Sequence, residues 1–172
     1  MKKLTHTAKK MLSSGFLAGA LKVTTTVLLA GTAITYVSTA QAAIDKNQVN
    51  QYAQNMRQAA NSQNIGRIAD LVSDDAIISL SGNGERTSLD KNGYLKLLQR
   101  SWNKTSNYKY SIQISNIVII DDDKASAKVT TKESYLKNGK PFQFVTKSDA
   151  KFSLSNNNVV LLRSVAQVTS KQ

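Results

Sequence analysis

The sequence predicts an α+β domain in which three helices come first and a curved antiparallel sheet follows. Three observations carry this. Apolar residues recur at helical spacing in segments 44–60, 64–72 and 88–102, the period that puts them on one face of a helix. From residue 108 onward the period falls to two, the signature of strands with one buried face. The strand segments are separated by short turn signals with no linker or repeat, so successive strands pair as a meander beside segregated helices.

The first 42 residues read as a separable leader. They carry Lys2, Lys3, Lys9, Lys10 and Lys22 and no acid, then the uncharged run VTTTVLLAGTAITYV over 23–37, then STAQA with Ala40 and Ala42 in an A-x-A arrangement. This is the basic, apolar, small-residue order of a secretory signal, cut after Ala42 or Ala43. The competing expectation is a retained membrane anchor. Against it, the uncharged core is shorter than the about 20 apolar residues of a spanning helix, and it holds Thr24, Thr25, Thr26, Thr32 and Thr35. The expected organisation is a signal peptide over 1–42 and one domain over 43–172, periplasmic or secreted.

Of the formal net charge of +12, the five leader lysines account for +5, leaving +7 for the domain. Those cations are scattered among acids, which describes a solvated surface with a weak preference for anions. No nucleic-acid partner is expected of an exported chain without a binding motif. There is no cysteine, and the only histidine, His6, lies in the leader. The domain therefore lacks the residues for a Ser–His or Cys–His nucleophile and for the usual zinc sites, so neither a metal nor another cofactor is expected. Asp121–Asp122–Asp123 lacks the alternating spacing and glycine of a calcium loop and reads as a hairpin turn.

In chain order, Asp45 is the expected cap of an amphipathic helix whose stripe is Val49, Tyr52, Ala53, Met56 and Ala60. A shorter helix over 64–72 presents Ile65, Ile68, Leu71 and Val72. AIISL, 76–80, reads as a strand broken by the GNG of 82–84. Ser88 is the expected cap of a third helix facing Leu89, Tyr94, Leu95, Leu98 and Trp102 inward, weakened by Gly93. The strand over 108–120 alternates Tyr108, Tyr110, Ile112, Ile114 and then changes phase to Ile117 and Ile119, which predicts a bulge near Ser115–Asn116. A strand over 125–136, an Asn138–Gly139 hairpin turn, a strand over 142–154, a turn over 156–158 and a closing strand complete the chain.

This order of segments resembles the NTF2-like superfamily, the cone-shaped (cystatin-like) α+β fold of ketosteroid isomerase and SnoaL-like proteins. The stretch NSQNIGRIADLVSDDAIISL resembles the family's polar turn, short helix, "DDA" and strand, and GERTSLDKNGYLKLL resembles its passage into the third helix. The likeness runs over residues 44–170. It implies three N-terminal helices packed on a curved antiparallel sheet, a pocket between them, and a family habit of dimerising through the outer face of the sheet. It also implies where isomerase chemistry would sit. The base position falls on Leu80 or Ser79, and the hydrogen-bonding tyrosine position falls near Met56 to Gln58. Neither carries the needed group, so that chemistry does not transfer.

Other residues remain as candidates. Adjacent Asp74 and Asp75 point in different directions on a strand and cannot flank a substrate as glycosidase carboxyls do, roughly 5–9.5 Å apart; a local turn role is expected. Ala125, Ala127, Val129, Thr131, Glu133 and Tyr135 share one strand face. If that face looks into the pocket, Glu133 is a candidate acid or base with Tyr135 or Tyr110 as its partner; otherwise it is solvated near the strand end and paired with a lysine. Trp102, Tyr108 and Phe144 are candidate walls for an apolar ligand, and Arg163 is a candidate anion holder inside the cone, unless it lies exposed.

Three functions are therefore open. The first is an exported, non-catalytic domain binding a small apolar ligand or a protein partner, with a homodimer through the sheet. The second is an isomerase- or dehydratase-like enzyme using Glu133 and a pocket tyrosine. The third is a membrane-anchored, VirB8-like secretion-assembly subunit, touching the membrane only through an uncleaved leader.

Overall fold

The structure, a computed structural model, describes residues 43–82 and 84–171. The expected leader, residues 1–42, lies outside them. Helix α1 (Lys46–Asn61) opens on a reciprocal capping box: the Asp45 carboxylate accepts from the Gln48 backbone N–H at 2.7 Å, and the Gln48 side chain accepts from the Asp45 N–H at 2.8 Å. Its buried stripe is Val49, Tyr52, Met56, Ala59 and Ala60. Helix α2 (Ile65–Asp70) is capped by Asn64, whose side chain accepts from the Arg67 N–H. Strands β1 (Val72–Gly82) and β2 (Glu85–Leu89) follow, then helix α3 (Lys91–Trp102). Four long strands finish the chain: β3 (Ser106–Asp121), β4 (Lys124–Lys137), β5 (Lys140–Ser155) and β6 (Asn158–Lys171). No helix among the described residues is long and apolar enough to cross a membrane.

The turns follow their chemistry. Asn138 and Gly139 have φ of 53° and 74°, and Asn156 and Asn157 have 49° and 61°. Positive φ at both central residues is the hairpin geometry whose twist matches the strands, and asparagine and glycine tolerate it best. The bulge in β3 falls where the phase change placed it: pairing to β4 shifts between Ser115 and Val118, and Asn116 takes φ 52°.

Two features correct the sequence reading. Ser88 does not cap α3. Residues Glu85–Leu89 instead fold back on β1 as an antiparallel strand, closed by Gly84 at φ 83°, and the Asp90 carboxylate caps the helix by accepting from the Gly93 N–H at 2.7 Å. Ser88 and Asp90 are both competent caps; strand pairing to β1 decided between them. The sheet is also mixed rather than antiparallel throughout. Its order is β2-β1-β6-β5-β4-β3, with β1 parallel to β6.

The core sits between the concave face and the helices. Phe152 is fully buried and meets Tyr52 of α1 edge-on, ring centroids 5.0 Å apart. Ala125, Ala127 and Ala150 surround that contact with small, buried side chains, which lets a helix approach the sheet. On the outer face, Val118 and Val165 are exposed beside Lys128 and Arg163.

Candidate ligand-binding site

Strand register builds the site. Across the concave face, Tyr110 of β3 stands opposite Glu133 of β4, which stands opposite Phe144 of β5. The next row inward is Ile112, Thr131, Thr146 and Val168. Thr131, Thr146, Ser148, Ala150, Ser164 and Ala166 are too short to reach the helices, and the space they leave is a cavity of about 390 Å³. Tyr52 and Met56 of α1 and Tyr94 and Leu98 of α3 form its other wall.

Glu133 is the only charged residue among the described residues lining this cavity. Its carboxylate accepts a hydrogen bond from the Tyr108 hydroxyl at 3.0 Å, the one side-chain-to-side-chain hydrogen bond among the described cavity residues. Burial pushes the Glu133 carboxyl above the usual range, and the Tyr108 bond opposes this by favouring the charged form. Glu133 is half-buried and no lysine pairs with it among the described residues: Lys132 is exposed, its position alternating with Glu133 along β4. Burial also raises the phenols of Tyr52, Tyr94, Tyr108 and Tyr110 far above their ordinary value. They stay protonated in neutral solution and offer hydroxyl donors.

Tyr135 lines the cavity, its ring stacked with Phe144 at 5.8 Å and with Tyr108 at 6.4 Å. Trp102 does not line the cavity. It meets Tyr108 edge-on at 5.9 Å and so supports the ring that holds Glu133. Its indole N–H is buried without a hydrogen-bond acceptor among the described residues, yet it lies close enough to the Tyr108 hydroxyl to lower that phenol's pKa slightly.

The structure thus brings together Glu133, Tyr135, Tyr110, Tyr108 and Phe144, and separates Arg163 from them. Strict alternation from Leu161 would point Arg163 inward. The β5–β6 pairing instead slips between Lys151 and Phe152, so that Phe152 faces Leu161 and Lys151 faces Arg163. Leu162 is the extra residue, a bulge that turns Arg163 out and Ser164 in. Arg163 lies on the exposed face beside Val118, Lys128, Asp149 and Val165.

The positions matching the isomerase pattern are also placed. Leu80 and Met56 both line the cavity, and neither ionises. Asp74 is corrected in its partner: it binds the Lys91 ammonium at 2.8 Å rather than a backbone amide, with its side chain 93% exposed. That ammonium holds the Asp74 carboxyl below its usual range, and Asp75 is exposed beside it. The pair belongs to the surface and performs no joint acid/base role in the cavity.

Two residues escaped the sequence. Tyr94 read as core on a helical stripe, and it lines the cavity. Asn61, the last residue of α1, accepts from the Tyr110 backbone N–H at 2.9 Å and donates to the Tyr110 carbonyl at 2.9 Å. It therefore occupies both backbone groups on the open edge of β3 and fixes Tyr110 against α1. No local pattern marks such a contact. Among the described residues no three acidic or other metal-ligating side chains gather into a cation site.

No protein-family profile and no curated protein sequence matches this chain. Solved structures do. A conserved protein from Planctomyces limnophilus aligns with a TM-score of 0.63 at 15% identity, over 74% of this chain and 98% of its own. A ketosteroid isomerase-like protein from Erwinia carotovora aligns at 0.57 and 14%, over 74% and 100%. A hexachlorocyclohexane dehydrochlorinase from Novosphingobium barchaimii aligns at 0.54 and 11%, over 73% and 86%. At these identities the likeness is one of fold, and chemistry must be argued from residues. With three helices on a six-stranded curved sheet and these structural neighbours, the chain has the NTF2-like fold of the ketosteroid-isomerase-like and SnoaL-like proteins.

Proposed function

We propose that this domain binds a compact, largely apolar small molecule bearing one polar group, held in the cone with that group at Glu133 and Tyr108. The carrying observation is a cavity of about 390 Å³ walled by apolar and aromatic side chains, with a single carboxyl among them. That is the usual composition of a small-molecule site: an apolar wall for affinity and a few polar groups for orientation. The export signal expected over residues 1–42 supports binding outside the cytoplasm as part of this reading. Native mass spectrometry of protein recovered from its own cells is the test. A retained small molecule, lost from a Tyr94→Trp variant that fills the cavity, is the expected result. A bare protein with no saturable response to a panel of aromatic and alicyclic compounds overturns it.

A second reading is an enzyme that moves a proton with Glu133, as the isomerase and dehydrochlorinase neighbours suggest by their names. The raised carboxyl favours it, because burial tunes such a group toward neutral pH. Once a turnover is found, Glu133→Gln should abolish it while ligand retention persists. Unchanged turnover removes Glu133 from the chemistry.

A further inference from the structure

The proposed cavity has an electrostatic imbalance. Its described lining holds one acid, Glu133, and neither lysine nor arginine. A carboxyl drawn partly out of water, as the half-buried Glu133 is, is favoured when it stays protonated or gains a compensating cation. A single phenol hydroxyl at 3.0 Å solvates one of its oxygens and brings no positive charge. Aromatic rings stand beside it: Tyr110 and Phe144 share its row across the sheet, Tyr108 bonds it, and Tyr135 stacks on Tyr108 and Phe144. Their faces are electron-rich and attract a cation that has shed its water. Tyr135 is braced by stacking on Tyr108 and Phe144, so these rings are held in place before a ligand arrives.

We infer that the ligand is an apolar organic cation, an amine or quaternary ammonium, whose charged group sits against Glu133 among the Tyr108, Tyr110 and Tyr135 rings. This rests on the small-molecule reading and narrows it. The cation supplies the missing countercharge, the aromatic wall supplies the cage, and the apolar remainder of the molecule fills the space above Thr131, Thr146 and Ser148.

The inference has a protonic signature. The groups facing Glu133 are Tyr94 from α3, Tyr108 and Tyr110 from β3, Tyr135 from β4 and Phe144 from β5. The tyrosines are all raised and keep their protons, so Glu133 is the one group among them that exchanges a proton while they stay neutral. A cation beside it favours the carboxylate, so binding near the pH where Glu133 takes up its proton must release that proton.

The test uses benzyltrimethylammonium and its uncharged carbon isostere, neopentylbenzene, titrated against the full domain. Trp102, the only tryptophan of the chain, touches Tyr108 and reports occupancy by fluorescence. The cation should bind about tenfold or more tighter than the isostere. Glu133→Gln should erase that preference while retaining the isostere. Calorimetry in buffers of different ionisation heat should show proton release on cation binding by the wild type. Equal binding of both probes, or no proton release, overturns the cation inference and leaves the cavity as a neutral-ligand site. Failure of both probes to bind overturns the small-molecule reading as well.

Discussion

Replacing Tyr108 by phenylalanine isolates the bond at the centre of the site. The ring stays, and with it the contacts to Trp102 at 5.9 Å and Tyr135 at 6.4 Å; only the hydroxyl that donates to Glu133 at 3.0 Å is lost. A hydrogen bond to a charged group contributes about 1.5–3 kcal/mol, and one between neutral groups about 0.5–1.5 kcal/mol. Glu133 sets which applies. Its carboxyl lies above the usual range in the folded protein through burial, so this residue's contribution to stability is present at acid pH and lost as pH rises through the raised value. The Tyr108 bond softens that loss because it favours the charged form. Without it, the loss deepens. The variant should therefore be about 1 kcal/mol less stable than wild type when Glu133 is protonated and about 2 kcal/mol or more when it is ionised. For a domain of this size that is a Tm gap widening from about 4 °C to about 8 °C. Thermal unfolding followed by circular dichroism from about pH 4 to about pH 9 measures it, and differencing the two proteins cancels other titrations. A gap that stays constant across the range would refute the assignment of a buried, titrating Glu133 bonded to Tyr108.

Other perturbations separate core, positioning and surface roles. Phe152→Ala empties a fully buried site and removes the edge-on contact to Tyr52, at a cost of about 3–5 kcal/mol by urea unfolding; a loss under about 1 kcal/mol would mean the contact between α1 and the sheet is not packed as described. Asn61→Ala frees both Tyr110 backbone groups and should cost about 1–3 kcal/mol while raising hydrogen exchange at the Tyr110 amide above that of its neighbours in β3. Unchanged exchange there would sink the positioning role. Asp74→Asn removes an ion pair whose carboxylate is 93% exposed and should leave the unfolding midpoint and ligand binding unmoved; loss of binding would restore Asp74–Asp75 as a functional pair.

Much of the fold was legible because its cues are short. The Asp45 cap and the Asn138–Gly139 turn each lie within four residues, and the phase change that marks the Asn116 bulge lies within ten. The inward face of β4 was also legible, since alternation from the buried Ala125 carries through to Glu133 and Tyr135. The reading failed at Ser88, where two competent caps compete and a strand partner elsewhere in the chain chooses. It failed at Arg163 for a related reason: one extra residue at Leu162 inverts the phase, and nothing in VVLLRSV marks which residue is extra.

The sequence by itself determined the first two helices, the four long C-terminal strands, the hairpin turns and a domain without histidine or cysteine, because these depend on residue identity and on periods shorter than one element. Only the tertiary structure decided that β1 runs parallel to β6, that Arg163 faces out, and that Tyr108 meets Glu133 across 25 residues of chain. Those outcomes depend on register between distant strands, which is set by how whole faces pack together. The bond of Glu133 to Tyr108 inside the cavity exists only once that register has formed.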